Sequence, residues 1–155
     1  MICAFLSKIQ NKEERMKKIL VIEDDEEIRL MMSLFLTSQK FEVTLAENGR
    51  VGLELAKKLK PDLILSDINM PELNGYELLK ALREDVAIAN IKFVFVTSEV
   101  DMDGYCLALE LGADDYLTKP IDLKHLLRAI AIHLNGISDQ TPPTCGIEYC
   151  DVTLH

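Results

Sequence analysis

Three short stretches of this chain are almost uninterrupted runs of Ile, Leu, Val and Phe. They are Lys18-Ile19-Leu20-Val21-Ile22, Asp62-Leu63-Ile64-Leu65-Ser66 and Ile91-Lys92-Phe93-Val94-Phe95-Val96-Thr97. A strand with one wet face alternates apolar and polar residues. A run that is apolar at both parities needs cover on both faces, which is how strands inside a parallel sheet read. Two weaker strand-like runs, 41–46 and 114–117, fit the same scheme. Between the strands the spacing turns helical. Ile28, Met31, Met32, Phe35 and Leu36 fall at i, i+3, i+4, i+7 and i+8, one apolar stripe facing a core. Further helices are expected near 49–59, 75–84, 103–111 and 122–134, with Pro61 stopping the second and Gly112 placed to cap the fourth in the left-handed conformation. Strand and helix alternate five times, so the crossovers should be right-handed and the fold α/β, a doubly wound (βα)5 sandwich.

Both ends differ from this middle. Residues 1–16 read as an N-terminal extension closing on the charged run Asn11-Lys12-Glu13-Glu14-Arg15, and Met16 is an alternative start. From Gly136 the periodicity stops and Pro142-Pro143 follows, so 136–155 is expected to be a flexible tail. With 48% hydrophobic residues the chain can close one core. Its formal charge of −9 disfavours direct contact with nucleic acid and welcomes a divalent cation. Cys3, Cys106, Cys145 and Cys150 have neither disulfide-scaffold nor metal-knuckle spacing and read as reduced thiols. No apolar run approaches the ~20 residues that span a bilayer, and Met1 to Leu6 lack a basic n-region. The expectation is a cytoplasmic chain without membrane insertion.

In an open parallel sheet, ligands bind beyond the carboxyl ends of the strands. The first strand runs into Glu23-Asp24-Asp25-Glu26-Glu27, the third into Asp67-Ile68-Asn69, the fourth ends at Thr97-Ser98, and the fifth runs into Thr118-Lys119-Pro120. Carboxylates, a hydroxyl and an ammonium therefore converge on one rim. Crowded carboxylates repel, and a hard cation with oxygen ligands relieves them; Mg²⁺ fits, and Mn²⁺ takes similar donors. Lys119 can pair with the central carboxylate or a phosphoryl oxygen, and Thr97 can donate to the same group. Such a site suits making and holding an acyl phosphate on Asp67.

These residues resemble the receiver domains of two-component response regulators. The likeness covers about 17–135. It rests on Ile19-Leu20-Val21-Ile22-Glu23-Asp24-Asp25, Asp67-Ile68-Asn69-Met70-Pro71 with Gly75, Phe95-Val96-Thr97-Ser98, and Gly112-Ala113-Asp114-Asp115-Tyr116-Leu117-Thr118-Lys119-Pro120. The resemblance implies a flavodoxin-like sheet in the order 2-1-3-4-5 and a receiver domain at 17–135, either a stand-alone receiver or a fragment of a protein with an output domain. It implies that Asp67 is the phosphoacceptor and that Glu23 and Asp24 bind the metal, with Asp25 as an alternative ligand and the Asn69 carbonyl completing the protein's share. Thr97 and Tyr116 look like the switch pair, Lys119 like the phosphate-binding lysine, and Lys119-Pro120 like the family's cis peptide.

The implied role is that of a phosphoacceptor regulatory protein, not a turnover enzyme. The donor would be a histidine kinase or histidine phosphotransfer protein. An unidentified downstream protein would be read by the face of the fourth helix, fifth strand and fifth helix (Asp101 to Leu111, Tyr116, Leu123 to Leu134). A phosphorylation-dependent homodimer is left open. A pseudo-receiver scaffold is the alternative. A haloacid-dehalogenase-type phosphohydrolase is disfavoured because its second Asp falls at Asn69. A flavin carrier is disfavoured because Glu23 to Glu27 would repel the phosphate.

Blander readings accompany these. Asp25, Glu26 and Glu27 also suit a helix N-terminus. Met31, Met32, Met70 and Met102 read as packing. His125 and His133 read as surface or half-buried residues without an acidic partner at metal spacing.

Overall fold

The computed structural model describes residues 15–98 and 101–136. The readings made for 1–14 and 137–155, including Cys3, Cys145 and Cys150, lie outside the described residues. Five parallel strands, β1 (Lys18–Ile22), β2 (Glu42–Ala46), β3 (Leu63–Ser66), β4 (Lys92–Thr97) and β5 (Asp115–Thr118), form one sheet in the order β2-β1-β3-β4-β5. Each is followed by a helix: α1 (Glu26–Ser38), α2 (Gly49–Leu59), α3 (Gly75–Glu84), α4 (Met102–Glu110) and α5 (Leu123–Asn135).

The apolar runs divide by parity. Leu20, Ile22, Ile64, Phe93, Phe95 and Tyr116 join a core with Ala56 of α2, Leu78 and Leu79 of α3, and Ala108 of α4. Ile19, Val21, Leu63, Leu65, Val94, Val96 and Leu117 join a second core with Met32 and Leu36 of α1 and Leu126 and Ile130 of α5. Two covered faces are the reason the strands show no alternation. Truncating any one of these buried leucines or isoleucines to alanine would cost about 2–5 kcal/mol.

Boundaries differ from the sequence reading where a polar side chain takes over the backbone. Asp114 stands outside β5 because its carboxylate accepts from the Phe93 amide (2.9 Å) and from Arg83 (3.2 Å). Asp122 stands outside α5 because it is the N-cap, accepting from the amides of Lys124 and His125. Gly112 adopts φ +95°, the left-handed region expected of it, and Lys60 (φ 47°) closes α2 just before Pro61. His133 is half-buried as expected, and its Nε2 lies 3.0 Å from Asp115 Oδ2, a single pair that joins α5 to β5. Among the described residues no helix is long and apolar enough to cross a membrane.

Candidate functional site

The parallel register brings the carboxyl ends of the strands to one edge. Ile22 pairs with Ser66, Ser66 with Phe95, and Thr97 with Thr118. The next residue of each chain path therefore emerges on the same rim. The Glu23 amide still donates to the Ala46 carbonyl (3.0 Å) and the Asp67 amide to the Ile22 carbonyl (3.0 Å), so sheet bonding extends right up to the acids. The Lys119 amide donates to the Thr97 carbonyl (2.8 Å), tying the lysine to the end of β4.

Asp67 is 8% exposed. Its Oδ1 accepts from the Ile68 amide (2.7 Å), its Oδ2 faces Lys119 Nζ (3.2 Å), and its carbonyl accepts from the buried Ser66 hydroxyl (2.8 Å). The turn beyond it is closed by α3: the Gly75 amide donates to the Ile68 carbonyl at 2.8 Å. A Cβ on Gly75 would stand 2.5 Å from the Asp67 carbonyl oxygen and 2.8 Å from the Phe95 ring, so any side chain there would have to displace the turn.

The three consecutive acids part ways. Glu23 is 2% exposed and accepts from Lys119 Nζ at 2.7 Å. Asp24 is exposed, and its carboxylate lies with those of Glu23 and Asp67, ligand oxygens all within 4.8 Å of one another. Asp25 is not in that group. Its Oδ1 accepts from the amides of Glu27 (2.9 Å) and Ile28 (3.2 Å), making it the N-cap of α1. The alternative ligand is thus engaged in starting the helix, and Glu26 and Glu27 lie in that helix's first turn, where acids favour the dipole. One contributor was missed from sequence: Arg29 donates to the Glu23 carbonyl (2.7 Å) and braces the acidic turn. Nothing in its spacing marks it.

Three carboxylates against one ammonium leave two negative charges, which hard-oxygen coordination of one divalent cation would neutralise. The donor set fits Mg²⁺ or Mn²⁺. Burial pushes the Glu23 carboxyl up to about 7, against the Lys119 and Asp25 hydrogen bonds that favour its charge. For Lys119 burial works against the charge, yet the Glu23 hydrogen bond and the charges of Asp67 and Glu23 outweigh it and hold the ammonium above its usual value.

The remaining residues take definite places. Thr97 is fully buried at the end of β4, and Tyr116 is 1% exposed on β5. Asn69 is exposed on the loop two residues past Asp67. The Lys119–Pro120 bond is cis. Beside the acids, Ile28, Met31, Lys119, Pro120 and Ile121 line a recess of about 280 Å³.

Comparison with known proteins agrees with this fold. Residues 19–131 match the family model described as the response regulator receiver domain. The chain is 30% identical over 138 residues to the DNA-binding response regulator MtrA of Mycobacterium leprae, covering 89% of this chain and 60% of that protein. It is 33% identical over 139 residues to the transcriptional regulatory protein PcoR of Escherichia coli, covering 90% and 60%. The chain thus spans about 60% of the length of these curated relatives. Among solved structures it resembles the chemotaxis protein CheY4 of Vibrio cholerae, with TM-score 0.74 and 32% identity over 77% of this chain and all of that one. A CheY-like receiver domain from Methanospirillum hungatei gives TM-score 0.74 at 29% identity, covering 79% and 96%.

Proposed function

The chain belongs to the response regulator receiver domain family, and from that premise we propose that it is a phosphorylation-controlled signalling switch or relay whose acceptor is Asp67. The observation that carries the reading is the Lys119 ammonium standing 2.7 Å from Glu23 and 3.2 Å from Asp67, with Asp24 beside them. Members of this family are regulatory domains, and we take residues 17–135 as the receiver.

In this reading Glu23, Asp24, Asp67 and the Asn69 carbonyl hold Mg²⁺ or Mn²⁺, which when bound neutralises carboxylate and phosphoryl charge. An Asp67 oxygen attacks the phosphorus of a phosphohistidine on a histidine kinase or phosphotransfer protein. The P–N bond breaks and its electron pair returns to the imidazole. Lys119 pairs with the transferred phosphoryl oxygens, and the Thr97 hydroxyl donates to them. The donor protein rests on the apolar shoulder of Ile28, Met31 and Ile121, which adjoins Lys119. Repacking of Thr97 and Tyr116 then changes the face of α4, β5 and α5, and with it the binding of a downstream protein or a second copy. The exchange takes place in the cytoplasm. The DNA binding named for MtrA belongs to that protein; the net charge of −9 here argues against direct nucleic-acid contact.

The test is intact-mass spectrometry of wild type and Asp67→Asn after incubation with Mg²⁺ and a small acyl phosphate. One phosphoryl increment in wild type alone, lost with EDTA, is the expected result. No increment in folded wild-type protein would favour a pseudo-receiver scaffold.

A further inference from the structure

Helix α4 is thinly attached: of its nine residues, Met102 to Glu110, only Ala108 is buried, while Met102, Leu107 and Leu109 are 46%, 40% and 47% exposed. Aromatic contacts tie it down. The Tyr105 ring meets the buried Tyr116 ring edge to face, with centroids 5.6 Å apart at 87°. Tyr116 in turn meets Phe95 (6.2 Å), and Phe95 meets Tyr76 of α3 (5.5 Å). The Tyr76 hydroxyl returns to α4 and donates to the Gly104 carbonyl at 3.4 Å. A Cβ on Gly104 would stand 2.8 Å from that hydroxyl oxygen and 2.8 Å from Asp101 Oδ1. Glycine is a poor helix former, and its presence here is explained by this close seat on Tyr76 and on the N-cap.

We propose that Tyr105 is a positioning residue for the Thr97–Tyr116 pair: its ring holds the Tyr116 ring inward, and Tyr76 seats the turn of α4 that carries it. The proposal rests on the switch reading above. An edge-to-face aromatic pair biases two ring positions by about fivefold. Inward Tyr116 leaves the end of β4 to Thr97 and the phosphoryl group, so Tyr105 favours the phosphorylated arrangement before any phosphoryl arrives. The relation is mutual: phosphorylation should tighten α4 against β5 through the same two rings.

The test uses the full chain labelled with 3-fluorotyrosine, the Tyr116 resonance being assigned through Tyr116→Phe. In wild type and Tyr105→Phe the Tyr116 fluorine should show little solvent-isotope shift. In Tyr105→Ala it should move toward the exposed value, and steady-state phosphoryl occupancy (bound to free) should fall about fivefold. Tyr105→Leu, which keeps apolar volume without a ring, gives the same answer if the alanine variant melts early. An unchanged Tyr116 signal in folded Tyr105→Ala or Tyr105→Leu overturns the proposal. Absence of phosphoryl uptake in wild type would sink the receiver reading instead, and the fluorine signal would still decide what Tyr105 does.

Discussion

The nearer partner of Lys119 is Glu23, at 2.7 Å, and not the candidate phosphoacceptor Asp67, at 3.2 Å. The glutamate is the more deeply buried of the two acids, 2% against 8% exposed. A buried carboxylate without a counter-charge is costly, so the lysine is drawn inward and bridges the end of β1 to the end of β3.

This bridge predicts opposite effects on metal and phosphoryl group. Lys119→Met removes a positive charge beside three carboxylates but also frees Glu23 to take up a proton, so at pH 9, where proton competition is weak, Mg²⁺ should bind more tightly, by about tenfold. Phosphoryl uptake from a small acyl phosphate should nevertheless fall at least ~10-fold, because the charge that would meet the phosphoryl oxygens is gone. Weaker Mg²⁺ binding in a calorimetric titration would contradict the bridging role.

Glu23 predicts a pH dependence whose sign is fixed by burial. Its carboxyl is raised from 4.5 to about 7, so between those values the folded chain holds a proton that the unfolded chain has lost. The group's contribution to stability is therefore fully present below about 4.5 and is lost as pH rises through about 7. Without added divalent cation, thermal melts should show this fall in wild type, and Glu23→Gln should flatten it. Protons compete with the cation for the same oxygens, so wild-type Mg²⁺ affinity should rise from pH 6 to pH 8.

Asp24 and Asp25 should separate cleanly despite being neighbours. Asp24→Ala should weaken Mg²⁺ binding with little change in melting temperature. Asp25→Ala should cost about 1 kcal/mol of stability, the usual loss for an N-cap, and disturb Mg²⁺ binding less. Titrations giving the reverse order would move the metal site one residue along the chain.

At Gly75, beneath the turn that carries Asp67, an added methyl meets the Asp67 carbonyl oxygen at 2.5 Å. Gly75→Ala should destabilise the domain by about 1–3 kcal/mol and slow phosphoryl uptake, because the turn carrying Asp67 must shift to admit it. Denaturant unfolding and intact-mass labelling on one preparation would check both. Wild-type labelling in a destabilised variant would show that the turn tolerates the movement.

Most of the fold could be read from the chain because its signals are local. A strand apolar at both parities announces two covered faces within five or six residues. The stripe from Ile28 to Leu36 announces a helix within nine. The helices at 49–59 and 75–84 lie where their spacing puts them. The gathering of Glu23, Asp67 and Lys119 at the strand ends was visible for the same reason: in a parallel sheet, the residue after each strand is delivered to a known edge.

What tertiary structure decided is the work of residues whose partners are remote. Three acids in a row are equivalent in sequence; the start of α1 makes Asp25 a cap and leaves Glu23 and Asp24 at the rim with Asp67. His133 carries no sign of Asp115, 18 residues away, nor Tyr105 of Tyr116 beneath it. Gly75 reads as part of a motif, but its reason lies in the Asp67 carbonyl it touches. Periodicity reports which face a side chain occupies, because that follows from backbone geometry repeated every two or 3.6 residues. Which atom it meets there depends on how five separate segments are stacked, and that is settled only when both cores close.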